Sequence, residues 1–401
     1  MTYVEAGMGH ITSAEAIANA LETYHPDEVE VIRCNIFTET NDPLLIKHQQ
    51  FLIDEVKRSN RHPFHMFYLK LIGLPLFPRL SSLRFAFGTL FVKETHRSQA
   101  IMRKYNPDMV FSTHFSPLHF AIEENKRRRG CHFLTGLYIP DPNVHGWWDR
   151  RSDLTFVNNP AAYREAIEKM KFDPEKTRLG KFLIRTALRE SSKEKRVLRE
   201  KHDLPVDRFT VTLAAGAYAE CHLKEFANRL LAINRRYTLL IIAGDNDEIY
   251  QEFSEQEGKT GQIELRVYRF LPDAHEFYGA SDVFITKAGP NSILDSVYMG
   301  TPVITNFCAS LIEQITKNYF IEEHGVGVHL ESPEEVCTQI TEWIDNPELL
   351  NPYQKKCAEF VETCVGGEKE VADGILETLR KYGPPKADRE SITGTSKKET
   401  D

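Results

Sequence analysis

The sequence predicts an α/β protein of two Rossmann-like, doubly wound domains that face a cleft. Three observations predict it. The chain has 401 residues and is 41% hydrophobic, enough for two buried cores. Strand-like apolar runs alternate with amphipathic helical stretches, the rhythm of βαβ units and a parallel sheet. That rhythm breaks once, in the charged stretch around 175–207, and then starts afresh.

In chain order, AGMGHITSAEAIANALE puts a glycine-rich turn, GMGH at 7–10, in front of a clean helix. VEVIR (29–33) reads as a strand after it, DMVFSTH (108–114) as the next, then FLTGLYI (133–139) and LTFVNN (154–159). PAAYREAIEKM (160–170) opens with Pro at a helix entry and keeps helical period. RESSKEKRVLREKHDL is charged and helical, with little to bury on more than one face. The second series follows: strands at 209–216, 237–245, 264–270, 282–289 and 301–307, with helices near 221–234 and 246–257. Domains are therefore expected at 1–190 and 200–365. An amphipathic C-terminal helix is expected within 366–383, and a polar, disordered tail at 384–401. The strand before GMGH is short, as if the start lay a few residues late.

Composition narrows the function classes. The net charge of −8 hides an asymmetry. Residues 1–200 carry 30 Lys+Arg against 24 Asp+Glu, so the front half is basic and the rest strongly acidic. A basic half suits an anionic surface such as phospholipid, or simply solvates its helices. Seven scattered cysteines (34, 131, 221, 308, 337, 357 and 364) contain no CxxC pair, which speaks against a disulfide framework and a zinc site. No signal-like leader and no apolar run of membrane-spanning length is present, so any membrane contact is expected to be peripheral.

Ligands of doubly wound sheets bind at strand ends and helix N-termini, so the loops after strands carry the candidates. At GMGH, Gly7 and Gly9 permit close approach of a ligand, Thr12 or Ser13 can cap the helix, and His10 at its mouth suits a base or hydrogen-bond donor. A plain turn with a surface histidine reads the same stretch. IPDPNVHGWWDR (139–150) places Asp141 and His145 four apart beside Trp147 and Trp148, for acid/base work or simply as a packed loop. TKAGPNSILDSVYMGTPVI (286–304) ends a strand at Gly289 and starts a helix that Asn291 or Ser292 can cap, with Asp295 one turn in and suited to a ribose. FCASLIEQITKN (307–318) offers Glu313 and Gln314 for sugar hydroxyls, or only an exposed helix start. HPFHMFYLKLIGLPLFPRLSSLRFAFGTLFVKETHR (62–97) interleaves aromatics such as Phe67 with Lys70, Arg79, Arg84, Lys93 and Arg97, a composition for an anionic lipid interface or for packing on the domain core.

These segments together resemble glycosyltransferase family 28, most nearly its diacylglycerol galactosyl- and glucosyltransferases, with the peptidoglycan GlcNAc transferase a more distant cousin. TKAGPNSILDSVYMGTPVI is similar to that subgroup's TKAGP segment. AGMGHITSAEAIANAL is similar to its Gly-Gly-Gly-His loop and helix, with Met8 in place of the middle glycine. IPDPNVHGWW resembles the family's Thr-Asp…His loop, with Pro140 where Thr is usual. The likeness covers about residues 3–365. It implies a GT-B fold and an inverting enzyme that uses a UDP-sugar without a cofactor or an essential metal. It also implies that Asp295, where the family usually has Glu, holds the ribose, and that Asn291 and Ser292 cradle the diphosphate. Glu313 would face the donor sugar, with Leu311 and Ile312 standing where Gly and Gln are usual. Gly216 is what remains of a glycine-rich loop at 214–223.

The resulting expectation is transfer of a hexosyl unit from a UDP-sugar to a diacylglycerol-type lipid on the inner face of the cell membrane. His10 and Asp141 would serve as base or partner, and the 62–97 segment, with His145 and Trp147, would seat the acceptor. Nucleic acid is not expected as a partner. Alternatives are a polyprenyl-linked acceptor, a soluble UDP-sugar 2-epimerase of the same architecture, or a non-catalytic nucleotide-sugar-binding protein.

Overall fold

A computed structural model describes residues 1–5, 8–61, 90–128, 132–214, 223–306 and 311–383. They form two six-stranded sheets. The first contains β1 (Thr2–Tyr3), β2 (Cys34–Asn35), β3 (Met109–Ser112), β4 (Leu134–Ile139), β5 (Leu154–Val157) and β6 (Thr177–Leu179), in the order β2-β1-β3-β4-β5-β6. The second contains β7 (Thr210–Ala214), β8 (Thr238–Ile242), β9 (Glu264–Tyr268), β10 (Val283–Thr286), β11 (Val303–Thr305) and β12 (Gly327–His329), in the order β12-β11-β10-β7-β8-β9. Every pairing is parallel.

Helices cover both faces, so the central strands read as unbroken apolar or β-branched runs. All five residues of β7 and of β8 are buried. Around the second sheet, one core gathers Phe284, Phe320 and Phe360, and the other Leu239, Phe253 and Trp343. The first sheet is flanked by cores around Phe37 and Phe120, Ile17 and Phe156, and Leu137 and Trp148.

Three sequence expectations are corrected. VEVIR is not a strand: pairing begins only at Cys34 and Asn35, where β1 offers Thr2 and Tyr3 as partners. The charged 175–207 stretch is not a one-faced linker. It contributes β6 and buries Leu188, Leu198 and Leu204, and even Arg199, whose Nε donates to the Ala280 carbonyl at 2.8 Å and whose Nη2 meets Asp282 Oδ2 at 2.7 Å. Thr12 and Ser13 do not cap the first helix, because it already starts at Met8 and runs to Tyr24; the Thr12 hydroxyl bonds back to the Gly9 carbonyl.

The domains are joined twice. The outgoing strand at Phe182 bridges in parallel to the returning chain at Val365, with Phe182 N–H to Cys364 O at 2.8 Å and Gly366 N–H to Phe182 O at 3.0 Å. Gly366 takes φ +96°, the left-handed region that glycine reaches without strain. The last helix, Glu368–Tyr382, then packs on the first domain, where Val371, Ala372 and Ile375 share a core with Ile17 and Phe156. The tail 384–401 lies outside the described residues.

Candidate active site

Strand order locates the site. In the first sheet the chain steps from β1 to β2 and then returns to β3 on the other side of β1. In the second, β7 plays the same part between β8 and β10. Ligands of open parallel sheets sit at these reversals, beyond the carboxyl ends of the strands. The loops after β1, β3, β4 and β10 all lie there.

His10 sits in the first turn of its helix. Its Nδ1 lies 2.6 Å from the Thr113 carbonyl, just past β3, while the Thr113 hydroxyl donates to the His10 carbonyl at 2.6 Å. A carbonyl only accepts, so Nδ1 carries the proton and Nε2 keeps the free lone pair. Burial lowers the basicity of the ring, partly offset by the Asp141 carboxylate and the Thr113 carbonyl, with His145 adding to the lowering. His10 is therefore neutral at neutral pH and able to accept a proton.

Around it stand His114, edge-on with ring centroids 4.7 Å apart, and Trp148 at 6.3 Å. His114 is buried, its Nδ1 accepts from Ser116 N–H at 3.2 Å, and burial holds it well below the usual histidine range. Asn158 grips the loop after β4 by donating to the carbonyls of Ile139, Pro140 and Asp141 at 3.2, 2.9 and 3.0 Å. Within that loop His145 Nδ1 accepts from Trp147 N–H at 3.3 Å, so Nε2–H faces Asp141 Oδ2, 3.6 Å away. Beneath the loop Asp149 is buried between Arg151 Nε at 2.8 Å and His119 Nδ1 at 3.4 Å. Burial alone would raise the Asp149 carboxyl, but these two partners hold it far below the usual carboxylate range.

The second domain reaches the same place. Gly289 is the N-cap of the helix Pro290–Tyr298, so Asn291 and Ser292 lie inside the first turn and do not cap it. A methyl group at Gly9 would sit 2.4 Å from Asn291 Nδ2, so the N-terminal turns of the two helices touch across the cleft. Each presents unpaired backbone N–H groups and the positive end of its dipole. Asp295, one turn further, is half-buried and accepts from Arg185 Nη2 at 2.7 Å. Glu313 is buried and pairs with Lys287 Nζ at 3.1 Å. Gln314 is exposed and bonds Asn318 at 3.2 Å along its own helix. Glu313 and Gln314 thus point about a hundred degrees apart and do not form one polar pair.

The structure therefore brings together Gly9, His10, Asp141, His145, Trp147, Gly289, Asn291 and Ser292, with Asp295 and Glu313 in paired positions nearby. Gly7, Gly216, Phe67, Lys70, Arg79 and Arg84 lie outside the described residues. Sequence reasoning missed Thr113, His114, Lys287 and Arg185. The first three stand at strand ends inside stretches already flagged, so the strand-end rule applied residue by residue would have found them. Arg185 carries no local signal.

Two facing doubly wound domains with their reversals opposed across a cleft are the GT-B fold. The Medicago truncatula protein UGT71G1, complexed with UDP-glucose, superimposes with a TM-score of 0.58 at 13% identity, covering 94% of this chain and 97% of that one. Residues 212–363 match the family model described as the glycosyltransferase family 28 C-terminal domain. The chain is 25% identical over 353 residues to the chloroplastic monogalactosyldiacylglycerol synthase of Spinacia oleracea, across 84% of this chain and 64% of that protein. It is 20% identical over 355 residues to the processive diacylglycerol beta-glucosyltransferase of Bacillus subtilis (strain 168), across 88% of each. It thus spans less than two thirds of the spinach protein's length.

Proposed function

We propose that the protein transfers a hexosyl unit from a UDP-sugar, with inversion, to a diacylglycerol-type lipid at the inner face of the cell membrane. The observation that carries the reading is the meeting of a proton-accepting His10 with two opposed helix N-termini at Gly9 and Asn291. The names of the spinach and Bacillus relatives, a galactolipid synthase and a diacylglycerol glucosyltransferase, support the acceptor class.

In this reading the acceptor hydroxyl gives its proton to His10 Nε2 as its oxygen attacks the anomeric carbon. The bond from that carbon to the diphosphate oxygen breaks, and UDP leaves with the electron pair. Asp141 stabilises the imidazolium that forms, as its field already does at rest. The negative charge that grows on the diphosphate falls at the helix N-termini, which are preorganised for it and need no metal. Glu313 faces the donor sugar, and His145 and Trp147 line the acceptor side.

A lipid acceptor requires a membrane-facing surface. Among the described residues no helix is long and apolar enough to cross a membrane. Ile46 and Phe51 on the helix Pro43–Arg61, and Leu90 and Val92 beyond the undescribed 62–89, are exposed apolar groups that flank the basic aromatic segment. They support a peripheral contact there.

The test is a donor screen. Purified protein is incubated with diacylglycerol liposomes and UDP-glucose, UDP-galactose, UDP-GlcNAc or UDP-glucuronate, and products are read by mass spectrometry. A glycosylated diacylglycerol from at least one donor is expected. Turnover of UDP-GlcNAc to its 2-epimer without lipid, or no product from any donor, would overturn the reading.

A further inference from the structure

We propose that Arg185 is a positioning residue for the nucleotide: carried on the crossover between the domains, it orients the Asp295 carboxylate and keeps it anionic, ready to accept both hydroxyls of a ribose. The inference rests on the donor-site reading above and adds a residue that neither the local sequence nor the strand-end rule singles out.

Arg185 is set by the backbone before it. Ile184 N–H donates to the buried Glu368 Oε1 at 2.7 Å, and Phe182 is bridged to Val365, so the crossover is pinned on both sides. From there the guanidinium reaches into the second domain. Nη2 donates to Asp295 Oδ2 at 2.7 Å and lies 3.4 Å from His275 Nδ1; Nη1 is 3.4 Å from the Pro272 carbonyl.

The partner histidine is held in the form this needs. The Ser191 hydroxyl donates to the Ala187 carbonyl at 2.8 Å, so at 2.8 Å it accepts from His275 Nε2–H. That leaves Nδ1 unprotonated toward Arg185. Burial, then the nearby Arg185 cation, keep His275 below its ordinary range and hence neutral.

Asp295 needs the help. Burial holds its carboxyl above the ordinary value even beside Arg185, and the charge and hydrogen bond of Arg185 oppose that rise. Among the described residues Tyr278 also faces it, and is itself pushed up by burial and by Asp295. Arg185 engages only Oδ2, so Oδ1 and the remaining lone pairs can receive a vicinal diol. A protonated carboxyl would lose that capacity, and the nearby guanidinium works against protonation.

The experiment is titration calorimetry of UDP into the full chain from pH 5 to 8. In wild type, affinity holds across neutrality and falls only on an acid limb. In Arg185→Gln that limb moves upward by about 1–3 pH units, because an opposite charge at this distance is lost. Arg185→Lys, which keeps the charge but not the fork, keeps the limb near the wild-type position. Asp295→Asn has no limb in either background. Melting curves check folding, and Arg185→Met, which keeps the aliphatic stem, replaces Arg185→Gln if the latter does not fold. A limb in Arg185→Gln that coincides with wild type overturns the positioning role and leaves the donor site standing. A wild-type protein that does not bind UDP at pH 7.5 overturns the donor site and this inference with it.

Discussion

Replacing His10 by alanine is the sharpest test of the proposed chemistry. Thr113 occupies Nδ1, so Nε2 is the one atom of the ring able to take a proton. Neither neighbouring histidine can take over. His114 Nδ1 already accepts from Ser116 and its ring is buried. His145 Nδ1 already accepts from Trp147, and its Nε2–H faces Asp141. The variant should therefore lose the full contribution of a general base, roughly 10²–10⁴-fold in kcat, or about 2.7–5.4 kcal/mol of barrier. UDP affinity should change little, since the helix N–H groups near the diphosphate are backbone. The wild-type rate should also fall as pH drops through a value below the ordinary 6.5 of histidine, because burial lowers His10. The assay is steady-state turnover of the active UDP-sugar with diacylglycerol liposomes between pH 5 and 8, beside calorimetric UDP binding. Retention of more than a tenth of kcat, or the same acid limb in the variant, would refute the role of His10.

The remaining predictions probe the surroundings. Gly9→Ala forces Asn291 Nδ2 out of its present position, because the new methyl would approach it to 2.4 Å. A rotamer shift at about 0.5–1.5 kcal/mol should raise the donor KM by roughly two- to tenfold with kcat nearly intact; unchanged donor KM would show that the helix contact is dispensable. Gln314→Ala should leave kcat/KM within about twofold, as expected of an exposed side chain, while Glu313→Gln should lower it by at least roughly tenfold through loss of a charged partner. The reverse ranking in a donor titration would undo the assignment of the buried residue to the sugar. Asp149→Asn breaks a buried pair and should cost about 3–5 kcal/mol in denaturant melts. Because the folded carboxyl is depressed, its stabilisation is present above the unfolded value near 4 and is lost as pH falls below it. Melts that give the variant wild-type stability at pH 7 would contradict that. His114, lowered by burial, acts in the same direction from a higher start: stability is full above about 6.5 and declines as pH falls below it. A stability profile flat between pH 7 and 5 would remove this contribution.

Much of the fold was legible from periodicity. Apolar runs such as YTLLIIAGD and DVFITKAG became β8 and β10 because strands covered on both faces must be apolar along their whole length. The failures have physical reasons too. VEVIR has strand composition, yet Val29 and Val31 are only half-buried, and the β1 strand beside it offers partners only to Cys34 and Asn35. Pairing, not propensity, decides a strand. In β6 the run Thr177–Leu179 is short and polar, and pairing along β5 makes it a strand.

The site divides in the same way. The sequence by itself determined which segments follow strands, and so which residues stand at the cleft: His10, Asp141, His145, Asn291 and Ser292. Helix and strand periods are local, and a βα turn always leaves its residues at the carboxyl edge. Only the tertiary structure decided how those residues are set. It assigned the His10 proton to Nδ1 through a carbonyl 103 residues away, separated Glu313 from Gln314, and placed Arg185 on Asp295 across 110 residues. Ionisation and tautomer depend on the few ångströms around an atom. Those neighbours come from distant parts of the chain, so no local pattern encodes them.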